Sequence, residues 1–235
     1  MPRFDIVKEV HVEESPSFRV NSVINNFDLD ISHIHEHFSG NIDIEKESWN
    51  VGLIVGGSGT GKSTIAKQVF PDAYISGYEY SAPAVIDDMP KSKSVKEIER
   101  VFTSVGFATP PSWLKPYAVL SNGEKMRVDL ARAILEDNET VVFDEFTSVV
   151  NREVAKTASY AISKAVKKMN KKFIAVSCHK DITEWLEPDW IYDTDEKHFF
   201  FAGGNSTAPR WNSKYTGLTT RIKNGFGTFS ANITI

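Results

Sequence analysis

Four short groups of residues in this 235-residue chain have types and spacings that do chemistry. Gly56-Gly57-Ser58-Gly59-Thr60-Gly61-Lys62-Ser63, followed by Thr64, has the G-x-x-x-x-G-K-[ST] spacing of a loop that cradles phosphates. Its glycines let the backbone curl so that successive N–H groups point inward, and a helix opening at its end adds positive potential for an anion. Lys62 is placed to reach the β- and γ-phosphates of a nucleoside triphosphate as a point charge, and the Ser63 hydroxyl to coordinate Mg²⁺. The second group is Leu120-Ser121-Asn122-Gly123-Glu124-Lys125-Met126-Arg127, where Ser121 and Glu124 have capping-box spacing. A helix opening there presents a serine hydroxyl and free N–H groups, a second terminus that seeks an anion. One nucleotide rarely needs two such termini from one chain. The third group, Thr140-Val141-Val142-Phe143-Asp144-Glu145, is an apolar run ending in two carboxylates, and the fourth, Ile174-Ala175-Val176-Ser177-Cys178-His179, is an apolar run ending in a histidine. Paired acids at a strand end also serve structure, and a lone histidine is often a core or surface residue.

The elements that must position these groups follow from hydrophobic period. Val51–Val55 reads as a buried parallel strand feeding the glycine loop, and a helix follows from Ser63 to about Phe70. Ser94-Val95-Lys96-Glu97 is another capping box, with Ile98, Val101, Phe102 and Val105 at helical spacing and Gly106 as a stop. Pro110-Pro111-Ser112-Trp113 breaks the pattern before a helix that opens at Ser121 and runs past Leu135. A strand at Thr140–Phe143, a helix from about Glu153 to Met169 striped by Val154, Ala158, Ala161, Ile162, Ala165 and Val166, and a strand at Phe173–Ser177 come next. A hairpin of Trp190–Tyr192 with His198–Ala202 closes the edge. Residues 1–50 carry two β-like runs, Phe4 to Val12 and Phe18 to Val23, then a histidine-bearing stretch from Ile31 to Ser39. Strands alternating with helices predict an α/β fold with a mostly parallel central sheet, because parallel neighbours need crossover connections.

The string at 120–127 resembles the LSGGQ signature of ABC ATPases, and the motif order around it agrees. The resemblance covers residues 1–202. It implies a P-loop NTPase fold of ABC type, with flanking helices, an antiparallel N-terminal β portion and a reduced helical subdomain at about 76–135. It also implies ATP and Mg²⁺ as ligands and ATP hydrolysis as the activity. Asp144 resembles the Walker B aspartate that holds Mg²⁺, Glu145 the base beside it that orients the attacking water, and His179 the switch histidine that contacts the γ-phosphate. By the same resemblance Ser121 and Gly123 act in trans, on ATP held by the phosphate loop of a second copy, so that ATP joins a homodimer. An aromatic from the N-terminal strands commonly stacks on the adenine in this family; Phe18 and Phe27 are the candidates here, with a place in the core as the alternative for either.

Three departures qualify that expectation. The only glutamine is Gln68, inside the helix after the phosphate loop, so the family's Q-loop glutamine is absent, and Asp87 or Asp88 is the candidate for its place at Mg²⁺, directly or through water. Asn151 stands where the family's D-loop ends in aspartate. The stretch between Lys62 and Ser121 is short for a transporter subunit. Wording such as Pro111-Ser112-Trp113-Leu114 and Glu145-Phe146-Thr147-Ser148-Val149-Val150 resembles soluble ABC ATPases of phages and mobile elements, some of which continue into an acetyltransferase-like domain.

A net charge of −4 argues against a surface wholly suited to nucleic acid, although a local basic patch remains compatible with it. No apolar run approaches the roughly 20 residues of a membrane span, and the first residues lack the apolar core of a secretion signal, so a cytoplasmic protein is expected. The single cysteine, Cys178, follows an apolar run and reads as a small core residue. His33, His35 and His37 alternate in a spacing that suits no complete zinc set. Residues 203–235 hold no acid and carry Arg210, Lys214, Arg221 and Lys223 beside Trp211, Tyr215 and Phe226, which reads as a basic tail of low order. Three functions compete: a soluble ATP-driven clamp acting on DNA or a DNA-associated or acetyltransferase-like partner, the ATPase subunit of a membrane transporter, and a slowly hydrolysing dimerisation switch. The missing glutamine and the short helical stretch make a membrane subunit the poorer fit as partner.

Overall fold

The computed structural model describes residues 3–9, 17–28 and 35–202. The chain runs β1 (Arg3–Glu9), α1 (Phe18–Phe27), β2 (His35–Asn41), β3 (Val51–Val55), α2 (Lys62–Val69) and β4 (Tyr74–Ile75). A 3-10 turn (Val85–Asp88) leads to α3 (Val95–Ser104), α4 (Pro110–Trp113), a second 3-10 turn (Tyr117–Val119) and α5 (Asn122–Leu135). Then come β5 (Thr140–Phe143), α6 (Arg152–Met169), β6 (Lys172–Ser177), α7 (Thr183–Leu186), β7 (Trp190–Asp193) and β8 (His198–Phe201).

β1 and β2 form an antiparallel pair, with Arg3 opposite Asn41 and Glu9 opposite His35. The other six strands form one sheet in the order β4-β5-β6-β3-β7-β8. Every pairing in it is parallel except the β7–β8 hairpin at the edge. β3 is bonded on both sides and all five of its residues are buried, which is why its sequence is an unbroken apolar run rather than an alternating one.

The period of two sorts the strand side chains onto two faces. Val51, Leu53, Val141, Phe173, Ala175 and Ile191 join one core with α3, α5 and α6, while Ile54, Val142, Ile174, Val176, Trp190 and Tyr192 join a second with Ile65 and Ala66 of α2. The helices between β4 and β5 share the first core with the sheet: Ile98, Val101 and Phe102 of α3 belong to it with Leu53 and Phe173, and α3 rests on α5 and α6. Gly52 faces Trp190 in register, and a Cβ there would fall 2.1 Å from the buried indole, so the ring lies directly on the strand backbone.

The predicted core elements lie where the sequence places them, each within a residue or two at its ends. Both capping boxes form, at Ser94/Glu97 and at Ser121/Glu124. Gly106 takes a positive φ of 84° just past α3, the conformation of a helix stop.

Two expectations fail. Phe18–Val23 is a helix, not a strand: Ser17 caps it by accepting from Val20 N, Asp28 ends it in the left-handed region, and Val20, Val23, Ile24 and Phe27 fall at the three- and four-residue spacing of a helical stripe. The run reads as β-like, but the cap and the period decide. Cys178 is exposed, because β6 ends at Ser177 and the cysteine is the first residue of the following turn. Val10–Val12, His33 and the 203–235 tail lie outside the described residues; no group of three or more His, Cys, Asp or Glu suited to a metal occurs among those described.

Candidate functional site

β5, β6 and β3 are neighbours running the same way, with Val55 level with Ser177 and Phe143 level with Ala175. Their carboxyl ends therefore bring the glycine loop, the Asp144–Glu145 pair and His179 to one rim of the sheet, where ligands bind in open α/β sheets.

The loop from Gly56 leads into α2, whose cap is Gly61 at φ 81°, so Lys62, Ser63 and Thr64 form the first turn of the helix. Gly59 has a φ of 80°. These left-handed positions suit glycine and turn the intervening N–H groups inward. The Lys62 ammonium donates to the Gly57 carbonyl across the loop, and Thr60 Oγ1 donates to the same oxygen at 2.9 Å. Ser58 and Gly59 lie at the loop's exposed tip.

A turn after β7 braces this loop from the side. Thr194 Oγ1 lies 2.6 Å from Thr60 Oγ1, and Asp195 Oδ1 accepts from Gly57 N at 2.8 Å. Lys180, one residue beyond His179, pairs with both Asp193 at 2.9 Å and Asp195 at 2.8 Å. That lysine and the Gly57 N–H hold the Asp195 carboxyl below its ordinary range, so it is an anion paired within the brace. No short-range signal in the sequence announces this contact across 138 residues.

At the end of β5, Asp144 Oδ1 accepts from Glu145 N at 2.8 Å, and Oδ2 accepts from the hydroxyl of Tyr74, on the neighbouring strand β4. Burial first, then the hydrogen bond and the charges of Asp144 and Glu145, raise the Tyr74 phenol well above its usual range, so it stays a donor. Glu145 itself is exposed and sits at a positive φ of 51°, and Thr147 is at 71°, an outlying conformation for a β-branched residue. Between them Phe146 is fully buried, donates its N–H to Val176 O at 2.9 Å, and packs edge-on to Phe173. A core anchor thus fixes two strained residues, one of them the carboxylate that projects from the rim. Thr147 Oγ1 meets His179 Nδ1 at 3.3 Å, which, with Thr147 donating, leaves the ring proton on Nε2.

Ser121 caps α5, and its exposed mouth stands apart from the rim: among the described residues no hydrogen bond or ion pair joins Ser121, Gly123 or Glu124 to the loop 56–63. Between this mouth and Asp144–Glu145 runs a cleft of about 520 Å³ whose walls include Tyr74, Tyr78, Tyr117, Asn122 and Lys125. Arg127 donates to Gly123 O at 3.1 Å and to Thr157 Oγ1 of α6 at 3.2 Å, tying the mouth to α6. Asn151, in the place of the expected aspartate, caps α6 by accepting from Val154 N at 2.9 Å, a task for which the two residues are equivalent.

Four candidates lie elsewhere than expected or stay unjoined. Phe18 and Phe27 are 86% and 72% exposed on α1, whereas the aromatic that reaches the phosphate loop is Phe38 of β2, whose ring a Cβ on Gly61 would strike at 2.3 Å. Asp88 accepts from Ala82 N at 3.0 Å within its own loop. Asp87 is exposed on the 3-10 turn that hangs from Lys115 O, and among the described residues no hydrogen bond or ion pair links it to Asp144 or Ser63.

No protein-family profile matches the chain. Among solved structures it is similar to the dimeric, post-hydrolysis ATP-binding cassette MJ0796 bound to ADP and phosphate, at 14% identity and a TM-score of 0.56 over 75% of this chain and 95% of that one. It is similar also to cbiO1 from Clostridium perfringens, part of the ABC transporter complex cbiONQ, at 17% identity and 0.54 over 71% and 80%. A bacterial Atm1-family ABC exporter with ATP bound matches at 18% and 0.54 over 75% of this chain, which spans 37% of the exporter's length. With a glycine loop after β3, carboxylates after β5 and a mostly parallel sheet, the chain has the P-loop fold of the ABC ATPases.

Proposed function

We propose that this chain is an ATP-hydrolysing ATPase of ABC type whose two half-sites close on ATP in a homodimer. The observation that carries the reading is the pair of separated helix mouths, α2 behind Gly61 and α5 behind Ser121, which no hydrogen bond or ion pair joins among the described residues of one copy. Two copies related by a two-fold axis would bring each mouth against the other's and put ATP in the interface. The dimeric cassette among the similar structures accords with it.

In this reading Lys62 and the N–H groups of 58–63 hold the phosphates, while the Gly57 N–H stays on Asp195 and Thr64 continues the helix turn behind them. Ser63 and Asp144 are hard oxygen donors at the same rim and would hold Mg²⁺, with Asp87 a candidate through water; bound there, the ion would offset the phosphates' negative charge. Glu145 orients the attacking water and accepts its proton. His179 donates from Nε2 to the γ-phosphate, and the Ser121 hydroxyl and Gly123 N–H receive that phosphate from the opposite copy. Phe38 is the aromatic best placed to meet the base. The test is ATP-dependent self-association of Glu145→Gln by light scattering after size exclusion: a dimer with ATP supports the reading, and a monomer with or without ATP removes it.

For the partner, the basic and aromatic residues of 203–235 favour DNA or a DNA-associated protein. Binding to duplex DNA should then require ATP and fall steeply with salt. A flat salt response, with co-purification of a membrane-spanning subunit, would instead favour the transporter reading, to which cbiO1 and the Atm1-family exporter belong. No helix among the described residues is long and apolar enough to cross a membrane.

A further inference from the structure

We propose that Ser112 is a positioning residue of the second half-site, holding Glu124 so that the α5 mouth can accept another copy's triphosphate. This rests on the ATP-joined dimer above and adds to it a residue outside the signature string.

The chain contains two capping boxes, and they differ in one respect. In each, the glutamate carboxylate accepts from the N-cap serine's N–H and hydroxyl through one oxygen: Ser94 to Glu97 at 2.8 and 2.6 Å, Ser121 to Glu124 at 2.9 and 2.8 Å. Among the described residues no side chain or N–H outside its own box donates to Glu97. Glu124 has one: Ser112 Oγ donates to its other oxygen at 2.8 Å. Ser112 is 3% exposed, and the helix it sits on is fixed by the buried Trp113, whose Nε1 donates to Phe107 O at 2.8 Å. Capping α5 does not require this third donor, since α3 is capped without one.

The difference matters because of charge. Its three donors keep Glu124 ionised, and it stands at a mouth that must take in a second anion. Drawn toward Ser112, the carboxylate points one oxygen back at α4 and holds the Ser121 hydroxyl in a fixed direction. Without Ser112 only the bonds to Ser121 hold the carboxylate, and its second oxygen is released to turn toward the N–H groups of α5 and repel the incoming phosphate.

The experiment uses the full chain carrying Glu145→Gln, with ATP and Mg²⁺, and reads the dimer dissociation constant. Ser112→Ala is expected to weaken ATP-dependent dimerisation by about tenfold or more, the loss of one hydrogen bond to a charged group. Ser112→Thr, which keeps the hydroxyl, restores it. The defect shrinks as salt rises, since it is a repulsion between anions at an open mouth. In a Glu124→Gln background, where the charge is gone and the box remains, Ser112→Ala should have no effect. Ser112→Cys, close to serine in volume but a weak donor, reads the same step if the alanine variant does not fold. The proposal is overturned if Ser112→Ala dimerises like its parent, or weakens dimerisation equally with Glu124→Gln present. If the parent itself fails to dimerise with ATP, the dimer reading fails instead, so the two failures are distinct.

Discussion

Lys62→Ala is expected to lower ATP affinity by more than about a hundredfold, measured by equilibrium binding of a fluorescent ATP analogue, because two or more charge-assisted hydrogen bonds to phosphate are lost together. The lysine lies in the first turn of α2 and already spans the loop to the Gly57 carbonyl, so its ammonium is held within the cradle rather than free in solvent. Removing it leaves the inward N–H groups and the helix terminus, which attract anions but carry no full charge. The fold should survive, since Lys62 is only half-buried and its neighbours Ile65 and Ala66 supply the packing of α2. An affinity within a few-fold of the parent would mean that the glycine loop is not where phosphate binds.

Glu145→Gln should separate binding from turnover. Steady-state phosphate release is expected to fall by about 10²- to 10⁴-fold, the usual contribution of a positioned base, while ATP affinity stays near that of the parent. The substitution keeps the shape of a side chain that is exposed and held only through its backbone, at the strained turn anchored by Phe146. Stability should therefore change little. With hydrolysis slowed, the ATP-bound form accumulates and the dimer persists. Equal, background-level rates for parent and variant would point to a switch that binds ATP without hydrolysing it.

Local signals carried most of this site. The glycine loop, both capping boxes, β5 and β6 each carry a signal within a few residues of sequence, spacing or apolar run, and each lies where that signal places it. What escaped the sequence depends on chain segments far apart. Tyr74 reaches Asp144 only because β4 pairs with β5, Asp195 reaches Gly57 only because β7 pairs with β3, and Phe38 reaches Gly61 from a strand outside the main sheet. Ser112 is twelve residues from Glu124 and is joined to it by the fold of α4 over α5. Helix α1 shows the converse: the run at Phe18–Val23 reads as β-like, while the serine cap and helical spacing, both local, specify the helix. Cys178 was misplaced by a single residue, at the point where β6 gives way to the turn that carries His179.

The central claim is that the triphosphate is shared between the loop of one copy and the α5 mouth of the other. It is tested most directly by cross-linking in the Cys178→Ser, Glu145→Gln chain, with one cysteine at Ser58 in the loop tip and one at Asn122 in the α5 mouth, placed on separate copies that are then mixed. The account predicts a disulfide between the two copies that forms with ATP and Mg²⁺ and not with ADP. Absence of an inter-copy cross-link with ATP, while both copies bind the nucleotide, would contradict it.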